Sequence, residues 1–359
     1  MTAEATTPSK DDARAGRPLL EAVDITKHYH VRAGRFGRSI VHAAENISVA
    51  LHPGTVTAVV GESGSGKSTL SRLLARTVNL TSGKLIFDGQ EVDLHKKAGA
   101  DYRRAVQLVL QDPFASLNPV HDVRYILGRP LKIHGKGGDN LEEAILNLLR
   151  RVNLTPAEQF IGKYPYELSG GQRQRVSIAR GLAVQPKVLL ADEPVSMLDV
   201  SIRLGILNLL ADLRDRERLA ILYVTHDIAS ARYLADTIMV MYAGKVVETG
   251  PADRITNAPQ HPYTQLLLSA APDPYADEKP WLGAAGAPPS LVRPPSGCRF
   301  HPRCPYAMPI CSTELPPTFP VEEGHGAACW LHSTEALSPA QTGDRALPTG
   351  ATPSGKEST

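Results

Sequence analysis

From Leu19 to about Gly250, short apolar runs rich in β-branched residues alternate with segments whose apolar residues recur at helical spacing. The runs are TVTAVV, KLIFD, VQLVL, KVLLAD, AILYVT and TIMVMY, and each has the length of a strand. Such alternation is typical of a largely parallel sheet covered by helices. The pattern therefore predicts an α/β core in this part of the chain.

Three parts of the chain depart from this alternation. Residues 113–183 carry consecutive helical patterns without a strand between them, which predicts a helical subdomain inserted in the core. Beyond residue 250 a short predicted helix, HPYTQLLLSAAP, leads into a Pro-rich stretch, so residues 251–333 are predicted to form a small irregular extension. Residues 1–18 and 334–359 are small, polar and charged, and we expect both to be disordered.

Composition and charge exclude several classes of protein. A chain of 359 residues can hold two or three packed units. The net charge is only +2, from 39 basic and 37 acidic side chains, so we expect no nucleic-acid partner. No uninterrupted apolar run approaches the roughly 18 residues of a membrane helix, and the N-terminus has no apolar signal core. We therefore expect a chain that neither spans a membrane by itself nor is exported.

A glycine-rich loop, GESGSGKST, joins the apolar run TVTAVV to the helical pattern that follows it. Glycines allow backbone N–H groups to surround an anion, and the N-terminus of the helix adds partial positive charge. The lysine would reach the outer phosphates of a nucleotide, and the serine after it would bind Mg²⁺. The sequence thus predicts a phosphate-binding Walker A loop made of Gly61, Glu62, Ser63, Gly64, Ser65, Gly66, Lys67, Ser68 and Thr69.

Two adjacent carboxylates follow the apolar strand pattern of VLLADEP. Neighbouring side chains at the end of a strand point to different partners, so the two acids are predicted to have different tasks. Asp192 can hold Mg²⁺, while Glu193 can orient and polarise a water for attack on the γ-phosphate. Taken alone, the pair could also cap the next helix.

A third element, LSGGQRQR, opens a predicted helix with a serine at the cap position and two glycines that expose backbone N–H groups. This second anion-binding helix end is surplus in one chain unless it serves the nucleotide of another subunit. LSGGQ between a Walker A loop and an acidic strand end resembles the ATP-binding cassette (ABC) ATPases, over about residues 19–250. The resemblance implies a P-loop fold, and a dimer in which ATP also contacts the other subunit's Ser169, Gly170, Gly171 and Gln172.

Further positions match motifs of the ABC ATPases one at a time. Gln111 in VLQDP matches the Q-loop glutamine that reaches Mg²⁺, and Asp199 in SMLD matches the D-loop. His226 in VTHD matches the switch histidine that bonds the γ-phosphate. Tyr29 occupies the position of an aromatic residue that stacks on adenine, and the basic loop after it is interpreted as a solvated hairpin. The resemblance thus implies that Glu193, His226 and Gln111 act in catalysis.

Two features narrow the resemblance within the ABC ATPases. QDPFASLNP after the Q-loop, and HPYTQLLL followed by GCRFHPRCPYAMPIC, look like the ATPase subunits of oligopeptide and dipeptide importers. Such subunits are peripheral at the cytoplasmic face of the cell membrane. They act with two membrane-spanning permeases, a second ATPase of the same or a related chain, and an external substrate-binding protein. The resemblance implies that ATP binding and hydrolysis drive conformational change of a peptide permease.

Other functions stay open at this point. Nickel and glutathione importers use the same type of ATPase, and soluble ABC ATPases act on ribosomes or DNA. Ribosomal types carry two cassettes in one chain, whereas this chain has one. DNA-repair types insert long coiled coils before the signature, whereas only 100 residues separate Lys67 from Leu168 here. The HPYT segment and the cysteine tail weigh against an exporter.

The four cysteines of the chain lie within 32 residues, with the spacing C-x5-C-x6-C-x17-C. Disulfides are not expected in a cytosolic ATPase, because the cytosol keeps thiols reduced. The four cysteines are then either free thiols or ligands of a metal site. A segment with little apolar area gains most from a metal cross-link, although the spacing fits neither a usual zinc ribbon nor a ferredoxin. Some importer ATPases carry a [4Fe-4S] cluster in similar tails. The resemblance therefore favours that cluster over zinc at Cys298, Cys304, Cys311 and Cys329.

All the nucleotide motifs lie before residue 250. We therefore expect loss of the metal to destabilise the tail and permease assembly more than it affects nucleotide binding by the isolated core.

Overall fold

The structure is a computed structural model that describes residues 16–33, 37–94, 99–270 and 286–333. The predicted disordered segments 1–18 and 334–359 lie outside the described residues, apart from residues 16–18. The strands are β1 (Leu20–Ala33), β2 (Gly37–Leu51), β3 (Val56–Val60), β4 (Ser82–Phe87), β5 (Gln90–Glu91), β6 (Val106–Val109), β7 (Val188–Asp192), β8 (Ala220–Thr225), β9 (Thr237–Tyr242), β10 (Lys245–Pro251), β11 (Phe319–Glu322) and β12 (His325–Ala327).

The α-helices of the described chain are α1 (Lys67–Leu74), α2 (Ala100–Ala105), α3 (Pro113–Ser116), α4 (Val123–Ile133), α5 (Leu141–Arg151), α6 (Gly170–Leu182), α7 (Val200–Glu217), α8 (Ile228–Leu234), α9 (Ala252–Asn257), α10 (Pro262–Ala270) and α11 (Pro309–Thr313). Short 3₁₀ turns occupy Ala157–Gln159, Pro165–Glu167, His301–Arg303 and Trp330–His332. No helix in the described ranges is long and apolar enough to cross a membrane.

An eight-stranded sheet in the order β11-β12-β10-β9-β3-β8-β7-β6 forms the centre of the fold. Strands β9, β3, β8, β7 and β6 are parallel, and the strands on the β10 side are antiparallel. The predicted α/β fold is therefore confirmed. The parallel strands β3, β7 and β8 are buried along their whole length, which explains why they are continuous apolar runs.

One strand prediction was wrong about its sheet. The run KLIFD does form a strand, β4, but β4 pairs antiparallel with β1 in a separate four-stranded sheet of order β2-β1-β4-β5. Only Leu85 of β4 is fully buried, and Ser82 and Lys84 are exposed. A strand with one solvated face suits an antiparallel sheet, whereas an internal parallel strand must be apolar on both faces.

The central sheet separates two hydrophobic clusters. One face packs Val59, Leu190 and Leu222 against helix α1 and the antiparallel sheet, through side chains such as Leu70 and Leu85. The other face packs against the helices between β6 and β7 and against the extension, whose Tyr263 and Phe300 are buried in the same cluster. Strand β12 of the extension also pairs with β10, so residues beyond 250 continue the central sheet.

Candidate functional site

The predicted phosphate-binding loop joins the carboxyl end of β3 to the start of α1. Gly66, the residue before the helix, has φ +102°, a left-handed conformation that favours glycine. A Cβ atom there would lie 2.2 Å from the backbone oxygen of Ala43. The glycine is therefore required for a tight turn that brings the N-terminus of α1 up to the loop.

The lysine of the loop is buried and turned back on the loop itself. Lys67 Nζ donates hydrogen bonds to the backbone oxygens of Gly61, at 2.7 Å, and Glu62, at 2.8 Å. Burial lowers the pKa of Lys67, while the carboxylates of Glu193 and Asp192 act in the opposite direction. A bound phosphate would offer this ammonium stronger, charged acceptors than the two carbonyl groups.

Ser68 and Asp192 meet at the carboxyl ends of β3 and β7. Ser68 Oγ donates a hydrogen bond of 2.9 Å to Asp192 Oδ1. Burial raises the pKa of Asp192, and the bond from Ser68 lowers it. Two hard oxygen ligands beside a phosphate site fit the preference of Mg²⁺, whose charge would also favour the ionised carboxylate.

The carboxylate of Glu193 contacts side chains from two distant parts of the sequence. Its Oε2 accepts a bond of 3.0 Å from Gln111 Nε2 and lies 3.3 Å from His226 Nδ1. The backbone of Glu193 has φ +47°, which is unusual for a residue with a side chain. Strained backbone of this kind is concentrated at functional sites. The structure thus brings together the three predicted catalytic side chains.

A cleft of about 820 Å³ contains the predicted nucleotide contacts. Its volume lies in the range of small-molecule and cofactor sites. The predicted residues that line it are Tyr29, Glu62, Ser63, Gly64, Gly66, Lys67, Ser68, Thr69, Gln111, Glu193 and His226. Ser65 is buried within the loop, and Gly61 begins the loop at the end of β3.

Tyr29 lies on β1 at this cleft, with the ammonium of Lys27 4.9 Å from the centre of its ring. The apolar side chains of Val41, Leu267 and Leu291 line the same cleft. Leu267 and Leu291 belong to the extension, so residues beyond 250 also line the cleft. The chain folds the extension over the cleft because α10 packs into the hydrophobic cluster of the core.

The signature residues lie outside this cleft. Ser169 caps helix α6: its side chain accepts a bond of 3.3 Å from Gln172 N, and Gln172 Oε1 accepts one of 3.0 Å from Ser169 N. None of Ser169, Gly170, Gly171 and Gln172 is among the described residues that line the cleft. Asp199 is an exposed residue directly before α7 and is likewise absent from the lining.

Two residues of the extension contact the phosphate-binding loop and were not found by sequence reasoning. Tyr263 Oη accepts a hydrogen bond of 2.9 Å from Glu62 N. The guanidinium of Arg303 pairs with the carboxylate of Glu62, Nη1 to Oε2 at 3.0 Å and Nη2 to Oε1 at 3.1 Å. Tyr263 stands in the HPYT segment and Arg303 in the cysteine segment GCRFHPRC, so the sequence marked both segments but not their contacts with Glu62.

None of the four cysteines forms a disulfide, and all four line one small cavity, together with His261, His301 and Tyr306 among others. Burial raises the pKa of Cys304 and Cys329 to about 12, and the neighbouring cysteines act in the same direction. These thiols are therefore protonated at neutral pH unless a cation compensates the thiolate charge.

A second group of side chains brings potential metal-ligand atoms close together. In the described ranges, three or more such atoms lie within 4.8 Å of one another only at His28, His42 and Glu45. Burial alone would raise the pKa of Glu45, but hydrogen bonds from both histidines and the charges of Arg299 and Lys245 hold it at about 2. Because two cationic side chains already neutralise this carboxylate, the group is best described as an ion-pair network.

The fold and the loop geometry define the class of P-loop nucleotide-binding proteins. Comparison with known proteins makes this more specific. The ABC transporter family profile matches residues 44–196, and the profile of the oligopeptide/dipeptide transporter C-terminal region matches residues 247–311.

The di/tripeptide transport ATP-binding protein DppF of Pseudomonas aeruginosa is 45% identical over 83% of this chain and 93% of its own length. The dipeptide transport ATP-binding protein DppF of Escherichia coli is 42% identical over 90% and 97%. A dimeric, post-hydrolysis structure of the ATP-binding cassette MJ0796 with ADP and Pi has a TM-score of 0.56 and 28% identity, covering 65% of this chain and 99% of that one. The chain belongs to the ATP-binding subunits of the ABC transporter family and is an ABC ATPase.

Proposed function

We propose that this chain is the ATP-hydrolysing subunit of a dipeptide or oligopeptide importer, peripheral at the cytoplasmic face of the cell membrane. The observation that carries the proposal is an extension of the oligopeptide/dipeptide transporter type that packs on the phosphate-binding loop of an ABC cassette. In this role the chain works with two membrane-spanning permeases, a second ATPase and an external substrate-binding protein. The relatives named for dipeptide transport support this assignment.

We assign the side chains of the cleft as follows. The loop N–H groups and Lys67 hold the β- and γ-phosphates. Tyr29 stacks on adenine, a contact that contributes on the order of 1 kcal/mol to the binding free energy. Ser68, Gln111 and Asp192 would hold Mg²⁺, which neutralises charge between the phosphates. Ser68 Oγ and Asp192 Oδ1 lie 2.9 Å apart beside the loop, and Gln111 lines the same cleft, so hard oxygen ligands for the ion are at hand.

Glu193 orients and polarises a water for in-line attack on the γ-phosphorus. Its carboxylate already accepts from Gln111 and lies within reach of His226, so ATP would rearrange an existing network. His226 is then placed to bond the γ-phosphate once the imidazole turns from Glu193.

We also propose that each ATP lies between two subunits. The helix end formed by Ser169 and Gly171 is capped and ordered, yet it lies away from the chain's own cleft. A second subunit would place its own signature helix, with Asp199 nearby, over this nucleotide. Nucleotide binding would close the dimer and hydrolysis would release it. In this arrangement residues 19–250 form the ATPase domain, residues 113–183 its helical subdomain and residues 251–333 the extension.

Uptake in cells tests the transport function. In a strain that lacks this chain, we expect uptake of labelled dipeptides or oligopeptides to fall to background, and the wild-type chain to restore it. A Lys67→Ala chain should not restore it, because the phosphate-binding ammonium is lost. Labelled nickel and glutathione serve as parallel substrates. Unchanged peptide uptake, with nickel or glutathione uptake lost instead, would reject the peptide assignment.

For the cysteine cavity we propose a [4Fe-4S] cluster, with zinc as the alternative. A tetrahedral zinc site has sulfurs about 3.8 Å apart, given Zn–S distances near 2.3 Å. In the described chain no three of these sulfurs lie within 4.8 Å of one another, so the close spacing of a tetrahedral zinc site is not preformed. Cys298, Cys304, Cys311 and Cys329 would supply the four thiolates.

A buried polar atom at the cavity also fits a cluster. His261 Nδ1 accepts a hydrogen bond of 3.0 Å from the backbone N–H of Tyr263, so the proton of the neutral ring is on Nε2. Burial lowers the pKa of His261 to about 4, which keeps the ring neutral. Nε2 is buried without a partner among the described residues, and a cluster or cysteine sulfur could accept its proton.

Metal analysis tests this site. Protein purified without oxygen should be brown and contain iron and sulfide, and Cys→Ser changes at 298, 304, 311 or 329 should lower both. Colourless protein that contains zinc would establish the alternative. Absence of both metals, with all four thiols alkylated, would reject a metal site altogether.

A further inference from the structure

Glu62, the second residue of the phosphate-binding loop, makes contacts with two residues of the extension. Its backbone N–H donates to Tyr263 Oη, and its carboxylate is paired with both terminal nitrogens of Arg303. Two parallel bonds of 3.0 and 3.1 Å form the planar fork in which arginine binds a carboxylate most strongly. Glu62 is thus fixed at its main chain and at its side chain by residues more than 200 positions away.

The residues that hold Glu62 are themselves rigid. Tyr263 is fully buried, and the Arg303 side chain is only 10% exposed. Arg303 Nη1 also donates to Tyr242 Oη at 3.2 Å, and its guanidinium lies within 6 Å of the ring centres of Tyr242 and Phe300. The aromatic rings pack together, with 4.5 Å between the centres of Tyr242 and Tyr263. Such packing fixes the guanidinium before any ligand arrives.

Glu62 also stands next to the atoms that would bind phosphate. Its backbone oxygen accepts from Lys67 Nζ, and the loop residues Ser63 and Gly64 follow it directly. A carboxylate so close to the phosphates of ATP would repel them if its charge were not neutralised. The guanidinium of Arg303 supplies that neutralisation and holds the side chain at the rim of the cleft.

We propose that Arg303 and Tyr263 are positioning residues for ATP, so that the extension is a structural part of the nucleotide site. Tyr263 fixes the main chain at the start of the loop. Arg303 fixes and neutralises Glu62, so that the loop N–H groups and Lys67 meet the phosphates without a competing negative charge. The extension therefore sets the affinity for nucleotide.

Equilibrium binding of a fluorescent ATP analogue to the purified full-length chain tests this proposal. We expect Arg303→Ala to weaken binding about tenfold, because it leaves the Glu62 charge unpaired beside the phosphates. Glu62→Gln removes that charge and supplies the background for a double-mutant cycle. The double variant should bind like Glu62→Gln alone, since there is then no charge left to neutralise. Tyr263→Phe should weaken binding by a few-fold, because Glu62 N loses its acceptor.

Arg254→Ala is the matched control. Arg254 also lies in the extension and pairs with Glu322, but 59% of its side chain is exposed and it does not line the cleft. We expect wild-type affinity for this variant.

In steady state, Arg303→Ala should raise the KM for ATP with kcat within about twofold, because the residue acts on binding rather than on the reacting atoms.

Two results would overturn the proposal. One is wild-type affinity in folded Arg303→Ala protein, checked by circular dichroism. The other is a double variant that binds as weakly as Arg303→Ala, since this would show that the arginine acts only on the stability of the tail. Should Arg303→Ala fail to fold, Arg303→Gln in the Glu62→Gln background decides the question, because a neutral amide pair should preserve binding.

Discussion

We expect Glu193→Gln to lower ATP turnover by about a hundredfold or more while ATP still binds, because an amide keeps the shape of the side chain but cannot polarise water. Its hydrogen bonds to Gln111 and His226 can persist, so the cleft should keep its form. Single-turnover hydrolysis and nucleotide binding by the purified chain measure the two effects separately. The bound, uncleaved ATP should also make dimers accumulate, which light scattering detects.

Glu217→Gln is the control for this variant. Glu217 also carries a carboxylate in an ion pair, with Arg151, but it lies at the end of α7 and does not line the cleft. We expect its turnover to match the wild type. Near wild-type hydrolysis by Glu193→Gln, in protein free of other ATPases, would remove Glu193 from the reaction.

The second prediction is that two inactive variants of this chain restore ATP hydrolysis when they are mixed. Lys67→Ala loses the phosphate-binding ammonium, and Ser169→Arg blocks the signature helix end, so each variant alone should be inactive. If the chain forms a homodimer, a mixed dimer contains one site built from an intact loop and an intact signature. The mixture should therefore recover a substantial part of wild-type hydrolysis per dimer.

The control mixture combines Lys67→Ala with a chain that carries both substitutions, and it should stay inactive because no intact composite site can form. Absence of rescue in the test mixture would direct the experiment to a heterodimer with a related ATPase. Hydrolysis by a wild-type chain shown to be monomeric would contradict the shared site.

The sequence predicted those parts of the site whose geometry is local. Gly61 to Thr69 form their turn because glycines follow a buried strand and precede a helix, and that information lies within about fifteen residues. Asp192 and Glu193 likewise follow a continuous apolar strand. Assignment of Gln111 and His226 to the same site as Glu193 needed the family resemblance, and their contacts with Glu193, which span 82 and 33 residues, were not predicted.

The extension shows where the sequence was insufficient. Arg303 and Tyr263 reach Glu62 across 241 and 201 residues, and no periodicity or motif spacing encodes such a contact. The pairing of β12 with β10 is equally non-local. The run KLIFD was assigned to the parallel sheet because an apolar run resembles an internal strand, although the charged Lys84 fits a strand with one solvated face.

Reconstitution with the two permeases and the binding protein in proteoliposomes tests the central claim most directly, through simultaneous measurement of ATP hydrolysis and peptide uptake. With ATP on the side that carries this chain, we predict that peptide-loaded binding protein on the opposite side stimulates hydrolysis and that labelled peptide accumulates. Both signals should disappear with Glu193→Gln. An ATP hydrolysis rate that does not rise with the loaded binding protein, or peptide uptake that continues with Glu193→Gln, would contradict the assignment of this chain as the ATPase that drives peptide import.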